Sequence, residues 1–167
     1  MAMAVYLMTD HPKEDLAEKE VIQPGHNQAM LVLSNGQTIA LEDTAYKELK
    51  EDGEIVGKDS LNILKYLKTN AKKIVYNTIK VPYGGEYRLE LSDGSKVWLN
   101  AGSELNYPVN FVGANRQVTL AGEAYFEVSP DKERPFIVNT KHSKIKVFGT
   151  AFNVMSYEED KMQQVTL

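Results

Sequence analysis

The most informative absence in this 167-residue sequence is cysteine, of which there is none. Without thiols the chain can form no disulfide framework, no thiolate zinc site, no iron–sulfur cluster and no cysteine nucleophile. The absence does not select a compartment, because a reducing cytosol and an oxidising periplasm both tolerate a cysteine-free domain. A chain of this length buries roughly 70% of its unfolded surface around one core, so it needs no disulfide.

Clusters of positive charge are also missing. The chain has 19 Lys and Arg residues against 23 Asp and Glu residues, which gives a net charge of −4. The densest basic runs are Lys72-Lys73 and the interrupted set Lys141, Lys144 and Lys146. Affinity for a phosphate backbone comes largely from concentrated cationic charge, so we expect no nucleic-acid partner. With 43% hydrophobic and 25% charged residues, the composition is that of an ordinary folded domain.

Long hydrophobic runs are the third absence. The longest apolar stretch, residues 2–8 (AMAVYLM), is far short of the ~20 residues that cross a bilayer. It also lacks the charged region that opens a secretory signal. Two interpretations stay open: a remnant of an initiator and tag, or the trailing end of a truncated membrane helix. Residues 9–20 are polar and charge-dense, which indicates a solvated linker or a short helical turn.

The sequence from residue 21 onward has the strand and turn pattern of a β-protein. Short segments alternate apolar and polar residues between Asn-Gly, Asp-Gly, Gly-Gly and Pro signals. Gly36 and Gly94 follow an Asn and an Asp, the pairing that tolerates the positive φ angles of a two-residue hairpin loop. Beyond Asn100 we expect strands at 104–109, 116–120, 123–128, 136–140, 144–147, 152–156 and 162–167. This spacing predicts an all-β fold, an antiparallel β-sandwich or jelly-roll-like domain of short strands.

An internal repeat supports this prediction. Residues 24–41 (PGHNQAMLVLSNGQTIAL) match residues 82–99 (PYGGEYRLELSDGSKVWL) at an offset of 58. We interpret the two copies as a duplicated hairpin unit inside one domain, since a solenoid would need at least three repeats. Trp98 falls out of phase with the apolar positions of the second copy, so it either covers the opposite face of the sheet or is exposed.

The segment between the two copies is less regular. Residues 44–51 have the spacing of one helical turn, while residues 60–68 fit an amphipathic helix and an alternating strand equally well. We favour a strand for residues 60–68, because the regions around them have strong β patterns.

Two motifs suggest catalysis, and both have simpler interpretations. Residues 53–59 (GEIVGKD) resemble a phosphate-binding loop, but only three residues separate the glycines and Asp59 follows Lys58 in place of Ser or Thr. A charged turn is the simpler interpretation. Glu123 and Glu127 could form a glycosidase pair, but four strand residues separate their α-carbons by about 13 Å, against ~5–9.5 Å between glycosidase carboxyl groups. Solvent-facing acids on one strand are the simpler account.

Histidines and aromatic residues give no stronger signal. His11, His26 and His142 have no metal-ligand spacing, so surface positions are expected. Seven aromatic residues concentrate in the middle of the chain, where packing in the core and on the sheet is their commoner use. As an alternative, a carbohydrate-binding β-sandwich would present Trp98 and neighbouring tyrosines to sugar rings. The seven are Tyr83, Tyr87, Trp98, Tyr107, Phe111, Tyr125 and Phe126.

Three strings together carry a family resemblance. They are YNTIKVPYGGEYRLELSDGSKVWLNAGSELNYPVNF, LAGEAYFEVSPDKERPFIV and IKVFGTAFNVMSY. In this order and spacing, residues 76–157 closely resemble the FecR family of anti-sigma factors and sensors, in particular its Bacteroidetes branch. The upstream copy is similar to a first hairpin that often precedes the family's core domain, so the resemblance covers about residues 21–167.

The resemblance implies a single-pass inner-membrane protein. Such a protein has a short cytoplasmic anti-sigma segment, one membrane helix, this periplasmic β-domain and a small C-terminal domain like the short N-terminal domain of secretins and TonB-dependent receptors. A substrate-loaded outer-membrane transducer would present its signalling domain to the FecR-like protein, which frees an extracytoplasmic-function sigma factor. Residues 1–20 would then be a membrane-proximal linker whose apolar start is the end of the membrane helix. Residues 21–167 would be the periplasmic domain.

The same resemblance implies no enzymatic activity, no catalytic residues, no cofactor and no metal. Motif glycines are expected at turns and bulges, and Asn100 and Tyr107 are expected to be structural. Contact with the sigma factor is expected in a cytoplasmic segment outside this chain, and transducer recognition through strand pairing at an exposed edge. We also expect the last strand to be unpaired or swapped between copies, because family members continue with further β-structure. The matching glycines are Gly84, Gly85, Gly94, Gly122 and Gly149.

Overall fold

The computed structural model of the chain describes residues 26–41, 47–51, 54–60, 63–66, 74–160 and 162–167. The apolar stretch at residues 2–8 and the linker at residues 9–20 lie outside these ranges. The described residues form β-strands, turns and loops without a helix, which confirms the all-β prediction. They therefore contain no helix long and apolar enough to cross a membrane.

The described residues contain fifteen strands. In chain order these are β1 (His26–Asn27), β2 (Ala29–Val32), β3 (Thr38–Leu41), β4 (Lys47–Glu51), β5 (Glu54–Ser60), β6 (Ile63–Tyr66), β7 (Tyr76–Lys80), β8 (Gly85–Glu90), β9 (Lys96–Leu99), β10 (Glu104–Pro108), β11 (Arg116–Glu127), β12 (Phe136–Asn139), β13 (Lys144–Val147), β14 (Ala151–Ser156) and β15 (Gln164–Thr166).

These strands make one curled, mixed sheet. Its main path runs β3-β2-β7-β10-β11-β9-β8-β6-β5-β4, and β12 and β14 pair with β11 away from that path. Three pairs are parallel, β1 with β8, β6 with β8 and β11 with β12, while the other pairs are antiparallel. The sheet curls into a half-barrel. The sandwich or jelly-roll arrangement and the duplicated unit are not confirmed and stay predictions.

Strand β11 connects the two halves of the sheet. Its first half pairs with β10 and β12, and its second half pairs with β9 and β14. The change of partners falls at Gly122, where φ is +102° and a Cβ atom would lie 2.6 Å from the Cα of Ser103. The prediction of two strands at 116–120 and 123–128 was therefore wrong, because glycine lets one strand bend without breaking its alternation.

The core lies against one face of the strands. As the alternation predicts, Leu89, Leu91, Val97 and Leu99 are all buried, while Trp98 is half-buried on the opposite face. Aromatic side chains complete this core: the rings of Phe126 and Phe152 stack with centroids 5.2 Å apart, and the ring of Phe136 lies 6.1 Å from that of Phe126. Each fully buried side chain of this size contributes about 1.5–3 kcal/mol.

Two hairpins, β2–β3 and β8–β9, have the same register at an offset of 58 residues. Ala29 faces Leu41 in the first, and Tyr87 faces Leu99 in the second. Each hairpin closes through a turn whose glycine has φ near +82°.

The hairpin loops have three residues, so the prediction of two-residue loops was wrong. In the first hairpin the amide of Gly36 donates to the carbonyl of Leu33 over 2.9 Å, and the amide of Leu33 donates to the carbonyl of Gln37 over 2.8 Å. The side chain of Asn35 accepts the amide of Gln37 at 2.9 Å, which stabilises this longer loop. The second hairpin makes the equivalent bonds.

The segment between the hairpins is also extended where it is described. Residues 47–51, expected as part of a helical turn, form strand β4 because they pair with β5 and bury Leu49. Residues 42–46 of that prediction lie outside the described ranges. The strand favoured within residues 60–68 is confirmed at β6, which pairs with β5 and β8.

Candidate functional surface

The two candidate catalytic acids lie on one face of β11 but have separate partners. The carboxylate of Glu123 accepts hydrogen bonds from the side-chain amides of Asn100 and Asn153, at 2.9 and 2.8 Å. The carboxylate of Glu127 lies 3.9 Å from the ammonium of Lys96. These contacts hold the two carboxylates in different networks, so the structure does not bring them together as a catalytic pair.

The loop resembling a phosphate site is a strand. Residues 54–60 form β5, so both the phosphate-loop and the charged-turn interpretations were wrong for this range, while Gly53 lies outside the described residues. Asp59 is buried and accepts a hydrogen bond from the hydroxyl of Tyr87 at 2.7 Å. The side chain of Asp59 is therefore buried in the fold and is not placed to face a bound phosphate.

The histidines do not form a site in the described part of the chain. His142 is exposed in the loop between β12 and β13, His26 lies in β1, and His11 falls outside the described ranges. Across the described residues, no three His, Asp or Glu side chains are grouped closely enough to hold a metal ion.

The motif glycines have two different roles. Gly84, Gly94, Gly122 and Gly149 have positive φ angles, as expected at turns and bends. Gly85 is not in that conformation. It begins strand β8, and a Cβ atom there would lie 2.9 Å from the carbonyl oxygen of Gln28, so its role is a close approach of two backbones.

A buried polar cluster accounts for Tyr107. Its hydroxyl lies 2.9 Å from that of Tyr66, which accepts a hydrogen bond from the side-chain amide of Asn77 at 2.9 Å. The side-chain oxygen of Asn77 in turn accepts the backbone amide of Ser34 at 3.0 Å. All three side chains are buried, so this cluster links β6, β7 and β10 inside the fold.

A second buried cluster surrounds Arg116, whose side chain is 1% exposed. Its Nη1 donates to the carboxylate of Asp93 at 2.7 Å and to the carbonyl of Ser129 at 2.8 Å. Its Nε donates to the carbonyl of Arg134 at 2.9 Å, and its guanidinium lies 5.6 Å from the ring centre of Phe136. Sequence reasoning missed this cluster, although Arg116 shares the phase of the buried residues of β11.

A partly exposed row of aromatic side chains lies on the outer face of the sheet. Arg88, Trp98 and Tyr125 are direct cross-strand neighbours on β8, β9 and β11. The guanidinium of Arg88 lies 4.8 Å from the ring centre of Trp98, and the ring of Tyr125 lies 5.5 Å from that of Trp98 at an angle of 57°. We call these three residues, together with Glu123 and its two asparagines, the aromatic face.

Trp98 is therefore already packed by other side chains. Arg88 covers its ring and Tyr125 packs beside it, so the ring does not offer an open stacking platform to a sugar. The carbohydrate-binding alternative is accordingly not favoured.

The charges around the aromatic face divide into two groups. Lys65 pairs with Glu90 at 2.7 Å, and Lys96 pairs with Glu127 at 3.9 Å. Arg88 and Glu123, in contrast, make no ion pair within the ranges that the structure describes. The face thus carries one cation stacked on an aromatic ring and one anion held only by neutral amides.

Tyr157 lies beside Glu123, and Tyr83 lies near Tyr157. The hydroxyl of Tyr157 donates to the carbonyl of Ala101 at 3.0 Å, and burial raises the pKa of Tyr157, helped by the negative charge of Glu123. Tyr83 is 84% exposed, and its ring lies where a Cβ atom on Gly102 would come within 2.9 Å. Both rings extend the exposed aromatic surface beyond the strands.

By its fold the chain is an all-β domain built on one curled mixed sheet. It belongs to the FecR family, because the family model described as FecR protein matches residues 77–167, more than half of the chain. The family is a regulatory one, and membership supports a role in signalling. This confirms the resemblance seen in the sequence.

Solved structures agree with this membership. Two crystal structures of a candidate anti-sigma factor from Parabacteroides distasonis ATCC 8503, at 2.50 and 1.65 Å resolution, are similar to this chain. The first is 40% identical with a TM-score of 0.55 and covers 55% of this chain. The second is 41% identical with a TM-score of 0.53 and covers 54%. The similar regions span only 43% and 42% of the two solved chains. No curated protein gives a significant match.

Proposed function

We propose that this chain is the periplasmic signalling domain of a transmembrane anti-sigma factor. It relays the state of a TonB-dependent outer-membrane transducer to a cytoplasmic extracytoplasmic-function sigma factor through protein–protein contact. The FecR match over residues 77–167 carries this proposal, and the 40% identity to a candidate anti-sigma factor supports it. Contact with the sigma factor is assigned to a cytoplasmic segment outside these residues.

The transducer contact is proposed to use strand pairing, in which a strand of the partner adds to an open sheet edge. Among the described residues, five strands pair on one side only, namely β1, β3, β4, β13 and β15. Strand β1 has only two residues, and β4 carries Lys47 and Lys50. Lys144 and Lys146 are exposed along β13, and lysines on an edge disfavour pairing. Strands β3 and β15 have no charged residue, but β3 buries Leu41 whereas all positions of β15 are exposed, so we propose β15 as the edge that accepts an added strand.

A direct test is a pull-down of the complete periplasmic region with the signalling domain of the transducer encoded nearby. Binding to the cognate domain and not to unrelated ones is expected. Absence of binding in every matched pair would contradict the proposal.

An exchange of edge residues tests the strand-pairing mechanism. The double variant Gln164→Lys with Thr166→Lys gives β15 the lysines of β13, so we expect at least a tenfold loss of transducer binding, which corresponds to about 1.4 kcal/mol. The matched control, Lys144→Gln with Lys146→Thr, removes the lysines from β13 and should leave binding unchanged. Equal effects of the two double variants would show that β15 is not the edge used.

The periplasmic location is a separate part of the proposal. Fusing alkaline phosphatase, which is active only outside the cytoplasm, to the end of this domain in the whole protein should give an active enzyme. A fusion that is inactive while the protein is stably made would place the domain in the cytoplasm and contradict the proposal.

A further inference from the structure

We propose that the aromatic face is a homodimer interface, on which two copies of this chain meet face to face about a two-fold axis. The inference rests on the charges and rings of this face and does not depend on the transducer contact.

The charges of the face are self-complementary. Most ionic groups on the outer side of these strands are already paired within the chain, as Lys65 is with Glu90 and Lys96 with Glu127. Within the described residues, Arg88 makes no ion pair, and Glu123 accepts only amide hydrogen bonds. A partner for this face must therefore bring a carboxylate to Arg88 and a cation to Glu123, and a second copy brings both.

The geometry suits a two-fold axis. Arg88 lies on β8 and Glu123 on β11, with β9 between them, so the two residues are two strand spacings apart, or roughly 10 Å across the sheet. Trp98 occupies the strand between them. A two-fold axis that lies in the contact plane near Trp98 places Arg88 of each copy opposite Glu123 of the other. This is the symmetry of an isologous contact.

The groups at the centre of the face are held in place before any contact forms. Both carboxylate oxygens of Glu123 are fixed by Asn100 and Asn153, and the guanidinium of Arg88 is held over the ring of Trp98. Fixed side chains lose little rotamer freedom on association. Trp, Tyr and Arg are also the residue types that dominate the binding energy of interfaces, and here they are adjacent.

The size of the face predicts a weak dimer. It spans four strands, from β8 to β14, so its width is about 15–20 Å, and the area it can bury is below the ~800 Å² per partner of a standard stable interface. We therefore expect association at high protein concentration, as in a membrane-anchored protein confined to a surface, and a monomer at low concentration.

Sedimentation equilibrium over a wide concentration range tests the proposal on this chain. Arg88→Glu and Glu123→Lys each place like charges opposite one another twice in the dimer, so each should raise the dimer Kd at least tenfold. The double variant restores opposite charges and should return the Kd to within about threefold of the original value. Matched controls at exposed positions elsewhere, Lys144→Glu and Glu133→Lys, should change the Kd less than about twofold.

The unmodified chain provides a second measurement that does not depend on the folding of variants. Because the contact is ionic, raising salt from about 0.05 M to 0.5 M should weaken the dimer severalfold. A monomer at every concentration overturns the proposal. So does a dimer that resists both salt and the single charge reversals, as a dimer formed by exchange of strand β15 would, or one that the controls weaken as much as Arg88→Glu does.

Discussion

The two hairpins of this molecule share register and turn geometry, yet they use the turn residue differently. In the first hairpin, Asn35 is exposed and accepts the amide of Gln37 at 2.9 Å. In the second, Asp93 makes the equivalent bond to the amide of Ser95 at 3.0 Å and also binds Nη1 of Arg116 at 2.7 Å. The two turns therefore share the same local hydrogen bond, but the side chain of Asp93 also contacts a distant part of the chain.

This difference changes the energetic role of the turn. The side chain of Asp93 is 5% exposed and that of Arg116 is 1% exposed, so their ion pair is almost entirely removed from water. Arg116 extends the contact to the carbonyl groups of Ser129 and Arg134. The side chain of the second turn thus anchors the start of β11 and the loop that follows it, whereas the side chain of Asn35 bonds only within its own hairpin, and the first turn reaches β7 through the backbone amide of Ser34.

The largest expected effect comes from removing each turn side chain. Asp93→Ala leaves the Arg116 charge buried without its counter-ion, so we expect a loss of about 3–5 kcal/mol in the free energy of unfolding. Asn35→Ala removes one exposed hydrogen bond and should cost about 0.5–1 kcal/mol. Urea denaturation of the two variants measures both values. Equal losses would mean that the buried ion pair adds nothing to the second hairpin.

Exchanging the two turn residues sharpens the same comparison. Asp93→Asn keeps the acceptor for the amide of Ser95 but removes the charge that faces Arg116, so we expect a loss of about 1.5–3 kcal/mol. Asn35→Asp keeps its acceptor in water and should change stability by no more than about 0.5 kcal/mol. Thermal unfolding of both single variants is sufficient. A similar loss for Asn35→Asp would point to the turn itself and not to Arg116.

Alanine at the two turn glycines separates backbone strain from packing. Gly36 and Gly94 have φ of +82° and +83°, so Ala should cost about 1–2 kcal/mol at either position. A Cβ atom on Gly36 meets nothing within 4 Å, whereas one on Gly94 lies 3.2 Å from Oγ of Ser129. Gly94→Ala should therefore lower the free energy of unfolding more than Gly36→Ala does, by less than about 1 kcal/mol. Denaturation curves of the two variants measure this difference. A larger loss for Gly36→Ala would contradict it.

The smallest expected effect is a dependence on pH confined to the surroundings of the second hairpin. Asp131 accepts the amide of Arg134 at 3.0 Å, and this hydrogen bond lowers the pKa of Asp131. Because its folded pKa lies below the unfolded value of about 3.9, its contribution to stability is present above that value and is lost as pH falls through the folded pKa. The difference in unfolding free energy between the unmodified chain and Asp131→Asn should shrink as pH falls from 5 to 2. A constant difference across that range would exclude a role for the ionised carboxylate.

The features that sequence reasoning recovered depend on neighbouring residues. Asn35-Gly36 and Asp93-Gly94 indicated two hairpins, because the side-chain acceptor and the positive φ angle act within a few bonds. Strict alternation around Trp98 placed it opposite the core, and the structure shows it there. These are local consequences of backbone geometry, so they need no knowledge of the rest of the fold.

The features that it missed depend on contacts between distant residues. Nothing in the sequence near Asp93 indicates that a guanidinium 23 residues away will bind it, although the phase of Arg116 along β11 was a usable signal for burial. Strand β4 was mistaken for a helical turn because its pairing with β5 outweighs the spacing of its apolar residues. Gly122 was taken for a break because a bent strand and two short strands have the same pattern.

Strand β11 also has a consequence for the order in which the molecule assembles. It hydrogen-bonds to β9 and β10, which precede it in the chain, and to β12 and β14, which follow it. During synthesis, β9 and β10 each keep an unpaired edge until residues 116–127 emerge. Strands β12 and β14 are made later and can pair with β11 directly. Such non-local pairing is slow. Substitutions at the Gly122 bend should therefore slow folding more than they speed unfolding. In that case the pairing of β11 would be the rate-limiting step in the folding of the domain.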